Sequence, residues 1–144
     1  ANATLEDIFT EEELSDAVTL EAVNLKSMYF ENTGKGFKAK VLPVQAQFSP
    51  LYALAALDAD NDGDMDLITG GNETYTRVRI GKSDGNHGTI LLNDGKGNFS
   101  TLDPAQTGLK LFGDIRSIKS INTPSGKFIF VGEIGQSLKT FRLN

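Results

Sequence analysis

Five aspartates fall within nine residues at Asp58-Ala59-Asp60-Asn61-Asp62-Gly63-Asp64-Met65-Asp66, and no other stretch restricts the fold as much. Carboxylates this crowded repel one another strongly in any partly desolvated setting. A bound divalent cation removes that cost. The alternation suits calcium: Asp58, Asp60 and Asp62 each offer a side-chain oxygen, and Gly63 permits the sharp turn. Asp64 would contribute its backbone carbonyl, and Asp66 would close the far side directly or through water. Hard oxygen ligands in a flexible loop favour calcium over magnesium, which demands a rigid octahedron and keeps its water. Without a metal the same stretch is a solvated acidic turn.

The flanks decide which kind of calcium loop this is. An EF-hand loop ends in a bidentate glutamate at its twelfth position, which here is Thr69, and it needs a helix on either side. Downstream, Met65-Asp66-Leu67-Ile68-Thr69-Gly70-Gly71 is short and partly β-branched, as a strand would be. Upstream, Leu51-Tyr52-Ala53-Leu54-Ala55-Ala56-Leu57 is alanine-rich but short for a helix. The expectation is two strands of one hairpin with a metal loop at its tip.

Leu57-Asp58-Ala59-Asp60-Asn61-Asp62-Gly63-Asp64-Met65-Asp66-Leu67 resembles the calcium loop of FG-GAP/VCBS repeats, the blades of integrin-α-like β-propellers, common in secreted and cell-surface bacterial proteins. Ile90-Leu91-Leu92-Asn93-Asp94-Gly95-Lys96-Gly97-Asn98-Phe99 resembles the hairpin that follows in VCBS-type blades. The likeness covers roughly residues 51–101. Ser27 to Leu42 and Ser117 to Leu143 resemble incomplete neighbouring blades, as in the C-terminal regions of bacterial VCBS-repeat proteins. The resemblance implies a mainly β fold, with one four-stranded blade flanked by partial blades. It also implies one calcium ion and an extracellular, periplasmic or cell-surface location. Its expected partners are other propeller blades or another protein chain.

The rest of the chain fits that frame. Residues 1–25 read as a helical or irregular lead, and residues 26–144 as the β portion. Thr10-Glu11-Glu12-Glu13 has a capping-box pattern, and three glutamates suit the positive end of a helix dipole. The pattern predicts a short helix over about residues 11–18, with a helical turn before it from Thr4. Ser27–Asn32 and Phe37–Leu42 read as a hairpin, the second strand alternating apolar and charged side chains. Pro43 and Pro50 bracket a loop. Phe30-Glu31-Asn32-Thr33-Gly34-Lys35-Gly36-Phe37 and Leu92-Asn93-Asp94-Gly95-Lys96-Gly97-Asn98-Phe99 share Gly-Lys-Gly before a phenylalanine, about sixty residues apart, a blade-sized repeat. Asn72 to His87 is polar and reads as an insertion, with Tyr75, Arg77 and Arg79 on an exposed loop and His87 as a loop histidine. Ile115–Ile121, Phe128–Gly132 and Gln136–Leu143 read as a three-stranded meander, with the continuously apolar Phe128–Gly132 buried on both faces. At the place of the metal loop, Asn122 to Lys127 has no carboxylate, so a single calcium site is expected.

The formal net charge of −5 argues against nucleic acid or anionic membrane as a partner. No apolar run approaches the length of a membrane span, and no basic-plus-apolar signal opens the chain. Starting at Ala1, the chain reads as mature, trimmed or excerpted. With no cysteine, it holds no disulfide. For function, the leading expectation is a calcium-stabilised, non-enzymatic binding or scaffolding module. Carbohydrate binding, or service as accessory to a polysaccharide-degrading enzyme, is the alternative, with Tyr29, Tyr52 and Tyr75 the only tyrosines and no tryptophan. Catalysis is not expected: no His-Glu-x-x-His, cysteine nucleophile or phosphate-cradling loop is present.

Overall fold

In the computed structural model, which describes residues 2–143, the described residues form nine strands in three antiparallel sheets. The first sheet pairs β1 (Met28–Asn32) with β2 (Phe37–Val41). The second holds β3 (Leu51–Leu57), β4 (Asp66–Gly71), β5 (Thr89–Asn93) and β6 (Phe99–Thr101), in that order. The third is a meander of β7 (Ile115–Thr123), β8 (Gly126–Glu133) and β9 (Lys139–Leu143). The fold is mainly β. Both flanks of the acidic loop are strands, as the short β-branched segment after it and the length of the one before it require.

Two apolar layers hold the sheets together. Ala53, Ala55, Leu57, Ile68 and Ile90 of the second sheet pack against Ile115, Ile118, Ile129 and Val131 of the third. On the opposite face, Leu42, Ala46 and Leu91 pack with Tyr29, Leu51, Leu67 and Phe99, joining the first sheet to the second. Close approach is possible because position 70 is glycine: a Cβ there would sit 2.9 Å from the Ile115 Cγ2.

Several sequence expectations change in detail. The helix α1 spans Glu11–Ser15 rather than reaching residue 18. Its capping box forms, with the Glu13 amide donating to Thr10 Oγ1 and the Thr10 amide donating to Glu13 Oε2. It buries no residue, so no tertiary packing extends it. A preceding turn closes where the Phe9 amide donates to the Leu5 carbonyl. In β8 only Ile129 and Val131 are buried, while Phe128 and Phe130 are half-buried, because a single sheet packs on that strand. In β2 the apolar side chains face out: Phe37 is 73% exposed, and Lys40 is the half-buried one. The Lys40 ammonium donates to the Lys96 carbonyl and pairs with Glu31, so the charged face of β2 meets the second sheet.

The sheets repeat one another. With Gly34, Lys35 and Gly36 laid on Gly95, Lys96 and Gly97, Asn32 falls on Asn93 and Phe30 on Leu91, 61 residues on; the second loop carries one extra residue, Asn98. Both asparagines use Oδ1 to accept a loop glycine amide, from Gly34 and Gly97 respectively. The second and third sheets also carry the same irregularity in the same place, a register shift between Leu51 and Ala53 and another between Ile115 and Ser117.

Candidate metal centre

The acidic stretch forms the tip of the β3–β4 hairpin. Asn61 and Gly63 have φ of 65° and 95°, and asparagine and glycine tolerate that region where most residues do not. The loop is held by its own carboxylates: Asp60 Oδ1 accepts from the Asp62 amide at 3.2 Å, Asp62 Oδ1 from the Asp64 amide at 2.8 Å, and Asp58 Oδ2 from the Gly63 amide at 3.2 Å. One oxygen each from Asp58, Asp60 and Asp66 lie within 4.8 Å of one another. That is the spread expected of ligands sharing an ion at about 2.3–2.6 Å from each.

Asp66 is the buried member, 0% exposed. Its Oδ2 accepts from the Ala59 amide at 2.7 Å and its Oδ1 from the Asn93 amide at 2.8 Å, so one carboxylate ties the loop to the end of β5. Asn93 adds a second tie by donating its side-chain amide to the Met65 carbonyl. From the third sheet, the Lys127 ammonium donates to the Asp58 carbonyl. Asp58 Oδ1 is buried without a hydrogen-bond partner. A buried carboxylate oxygen left unpaired is costly, and a cation is the natural group to satisfy it.

Of the five aspartates, then, three converge. Asp62 spends its side chain on the loop backbone, and the Asp64 carboxylate lies over Gly95 of the next hairpin, 2.7 Å from where a Cβ would stand. The all-oxygen donor set can hold a metal ion. Desolvation, and then the charges of Asp62 and Asp66, push the Asp60 carboxyl above its ordinary range, against the Asp62 amide bond that lowers it. Compared with known proteins, the chain matches no family model, no curated protein and no solved structure. The reading of this site therefore rests on its own geometry.

Asn93 and Lys127 are the site residues that sequence reasoning passed over. Lys127 sits where the third hairpin has exchanged the acidic loop for a tight turn, and a cation there could have been read as a partner for the neighbouring loop. Elsewhere, the insertion from Asn72 to His87 is closed by buried Asn72, whose amide nitrogen donates to the Asn86, Phe112 and Gly113 carbonyls. Asp114 accepts from the Thr74 amide and hydroxyl. His87 is exposed and stacks edge-on against Phe112. Of the tyrosines, Tyr29 packs on Phe99, Tyr52 lies under Arg116, and Tyr75 is exposed. No helix among the described residues is long and apolar enough to cross a membrane.

Proposed function

We propose that the chain is a calcium-stabilised, non-enzymatic binding or scaffolding module of an exported or cell-surface protein, and that its sheets are successive blades of a larger β-propeller. The observation that carries this reading is Asp58: a buried, unpaired carboxylate oxygen on one of three aspartates whose oxygens converge. Three converging hard oxygen donors in a hairpin tip favour calcium over softer or more rigidly coordinated ions. The blade reading draws support from the matching bulges, the 61-residue recurrence of the Gly-Lys-Gly hairpin, and the face-to-face stacking of consecutive sheets. The ion's role is structural, pinning the loop that Asp66 links to β5.

Thermal unfolding in millimolar calcium and in chelator tests this. At a free concentration about one hundred times Kd the ion adds about 2.7 kcal/mol, which for a chain of this size raises Tm by about 5–10 °C. Asp60→Asn should lose most of that difference. A melt indifferent to chelator sinks the calcium reading.

A further inference from the structure

We infer that the open edge of β1, with the groove beside it, is the docking site of a β-hairpin of the β3–β4 kind from a further repeat. This rests on reading the sheets as successive blades. On either side of β1 the Ser27 carbonyl accepts from the Leu42 amide, and the Thr33 amide donates to the Gly36 carbonyl. Antiparallel alternation therefore turns the main-chain groups of Met28 and Phe30 away from β2, which is the one sheet partner of β1 among the described residues. In the second sheet the equivalent strand β5 has its corresponding edge filled: Leu91 and Thr89, which match Phe30 and Met28, pair with Leu67 and Thr69 of β4. One edge is paired and its copy is bare.

The neighbouring face shows the same vacancy in side chains. Leu54 opposes Thr69 as Ile118 opposes Val131, so Leu54 and Ile118 hold equivalent positions beyond their bulges. Ile118, covered by the β3–β4 hairpin, is 3% exposed, whereas Leu54 is 61% exposed. Between β1 and β3 runs an apolar groove of about 440 Å³, lined by Met28, Phe30, Leu42, Leu51, Tyr52 and Leu54. A hairpin continuing the first sheet from β1 would fill it. Its second strand would pair with Met28 and Phe30, and its inward apolar side chains would cover Leu54.

The occupant must present a strand with a free edge on one side and a β3-like neighbour on the other. A second copy of this chain cannot offer that from β4, because β5 already holds that edge. A separate repeat can.

The test adds a synthetic peptide of residues 51–71 to the whole chain in millimolar calcium and follows amide hydrogen exchange. Exchange at Met28 and Phe30 should slow by at least about tenfold, while Tyr29 and Glu31, already bonded to β2, stay as they were. Phe30→Pro removes the outward donor but keeps an edge-compatible strand, so it should abolish the peptide's effect and leave the Tyr29 and Glu31 amides protected. Leu54→Glu should weaken binding about tenfold by placing a charge in the groove. Unchanged exchange at Met28 and Phe30, or equal slowing at Met28 in Phe30→Pro, overturns the proposal. So does protection of those amides in the chain alone, which would give the edge to a second copy or to residues 17–25. A chelator-insensitive melt bears on the calcium reading instead, so the two can fail separately.

Discussion

The Arg116 guanidinium carbon lies 4.1 Å from the centre of the Tyr52 ring, and the two residues occupy the same bulged position in successive sheets. Each bulge turns its side chain out of the regular alternation, and the two meet across the seam between β3 and β7. Arg116 is further held by the Asn72 carbonyl and by Glu73, so its planar head arrives already oriented over the ring.

That seam is measurable as a pairwise coupling. A double-mutant cycle with Tyr52→Leu and Arg116→Met should return a coupling of about 1 kcal/mol at this partly exposed site. Arg116→Met alone should cost more than Tyr52→Leu alone, because it also strands the Asn72 carbonyl and Glu73. Chemical denaturation of the four proteins in calcium would give the three differences. A coupling near zero would mean that the rings and charges merely share space.

Asp66 and Asp60 should part company under substitution. Both Asp66 oxygens accept backbone amides, so Asp66→Asn sets an NH₂ against one buried N–H and loses one of the two bonds by which the carboxylate joins the loop to β5. The expected cost is about 2–3 kcal/mol, and it should persist in chelator. Asp60 is exposed and accepts only from the Asp62 amide, so Asp60→Asn should cost little in chelator, where it also relieves repulsion. In calcium both variants also forfeit the ion, since Asp60 and Asp66 are two of the three converging carboxylates, so each falls further below the parent and the order of the two holds. Paired melts of the two variants with and without metal would read this out.

Local chemistry was legible in the sequence; long-range pairing was not. The acidic loop, the Thr10 capping box and the Gly-Lys-Gly turns are set by residues within a few positions of each other, and each forms where expected. The end of α1 was not legible, since no packing partner extends it. Tyr52 and Arg116 are 64 positions apart, and nothing in Leu51–Leu57 or Ile115–Ile121 marks the bulge that brings them together. Anchoring the hairpin repeat on its phenylalanines misplaces it by one residue, which in a strand exchanges the two faces. Anchoring on glycine, whose positive φ fixes each turn, recovers the register, with Gly34 and Gly95 at 78° and 71°. Three of the five aspartates converge; Asp58, Asp60, Asp62 and Asp66 all accept backbone amides while the Asp64 carboxylate lies over Gly95, an arrangement that spacing does not reveal.

Asp94 should make the second hairpin acid-sensitive in a narrow window. Its carboxylate accepts from the Asn98 side chain at 2.7 Å, from the Asn98 amide at 3.0 Å and from the Lys96 amide at 2.9 Å. Led by the Asn98 side-chain bond, these lower its pKa from 3.8 to about 2. A carboxyl whose folded pKa lies below its unfolded one contributes stability that is present above the unfolded value and lost as pH falls toward the folded one. The loss should therefore run between about pH 4 and pH 2. Asp60 works in the opposite sense without calcium: its raised pKa means that the metal-free fold takes up a proton more readily than the unfolded chain, and so gains stability as pH falls toward that range. Asp94→Asn should flatten the acid limb and leave the Asp60 contribution, so the metal-free variant should lose less stability than the parent between pH 4 and pH 2. An NMR titration of the Asp94 carboxyl is the direct check, and a midpoint near the ordinary aspartate value would show that the turn does not hold the charge.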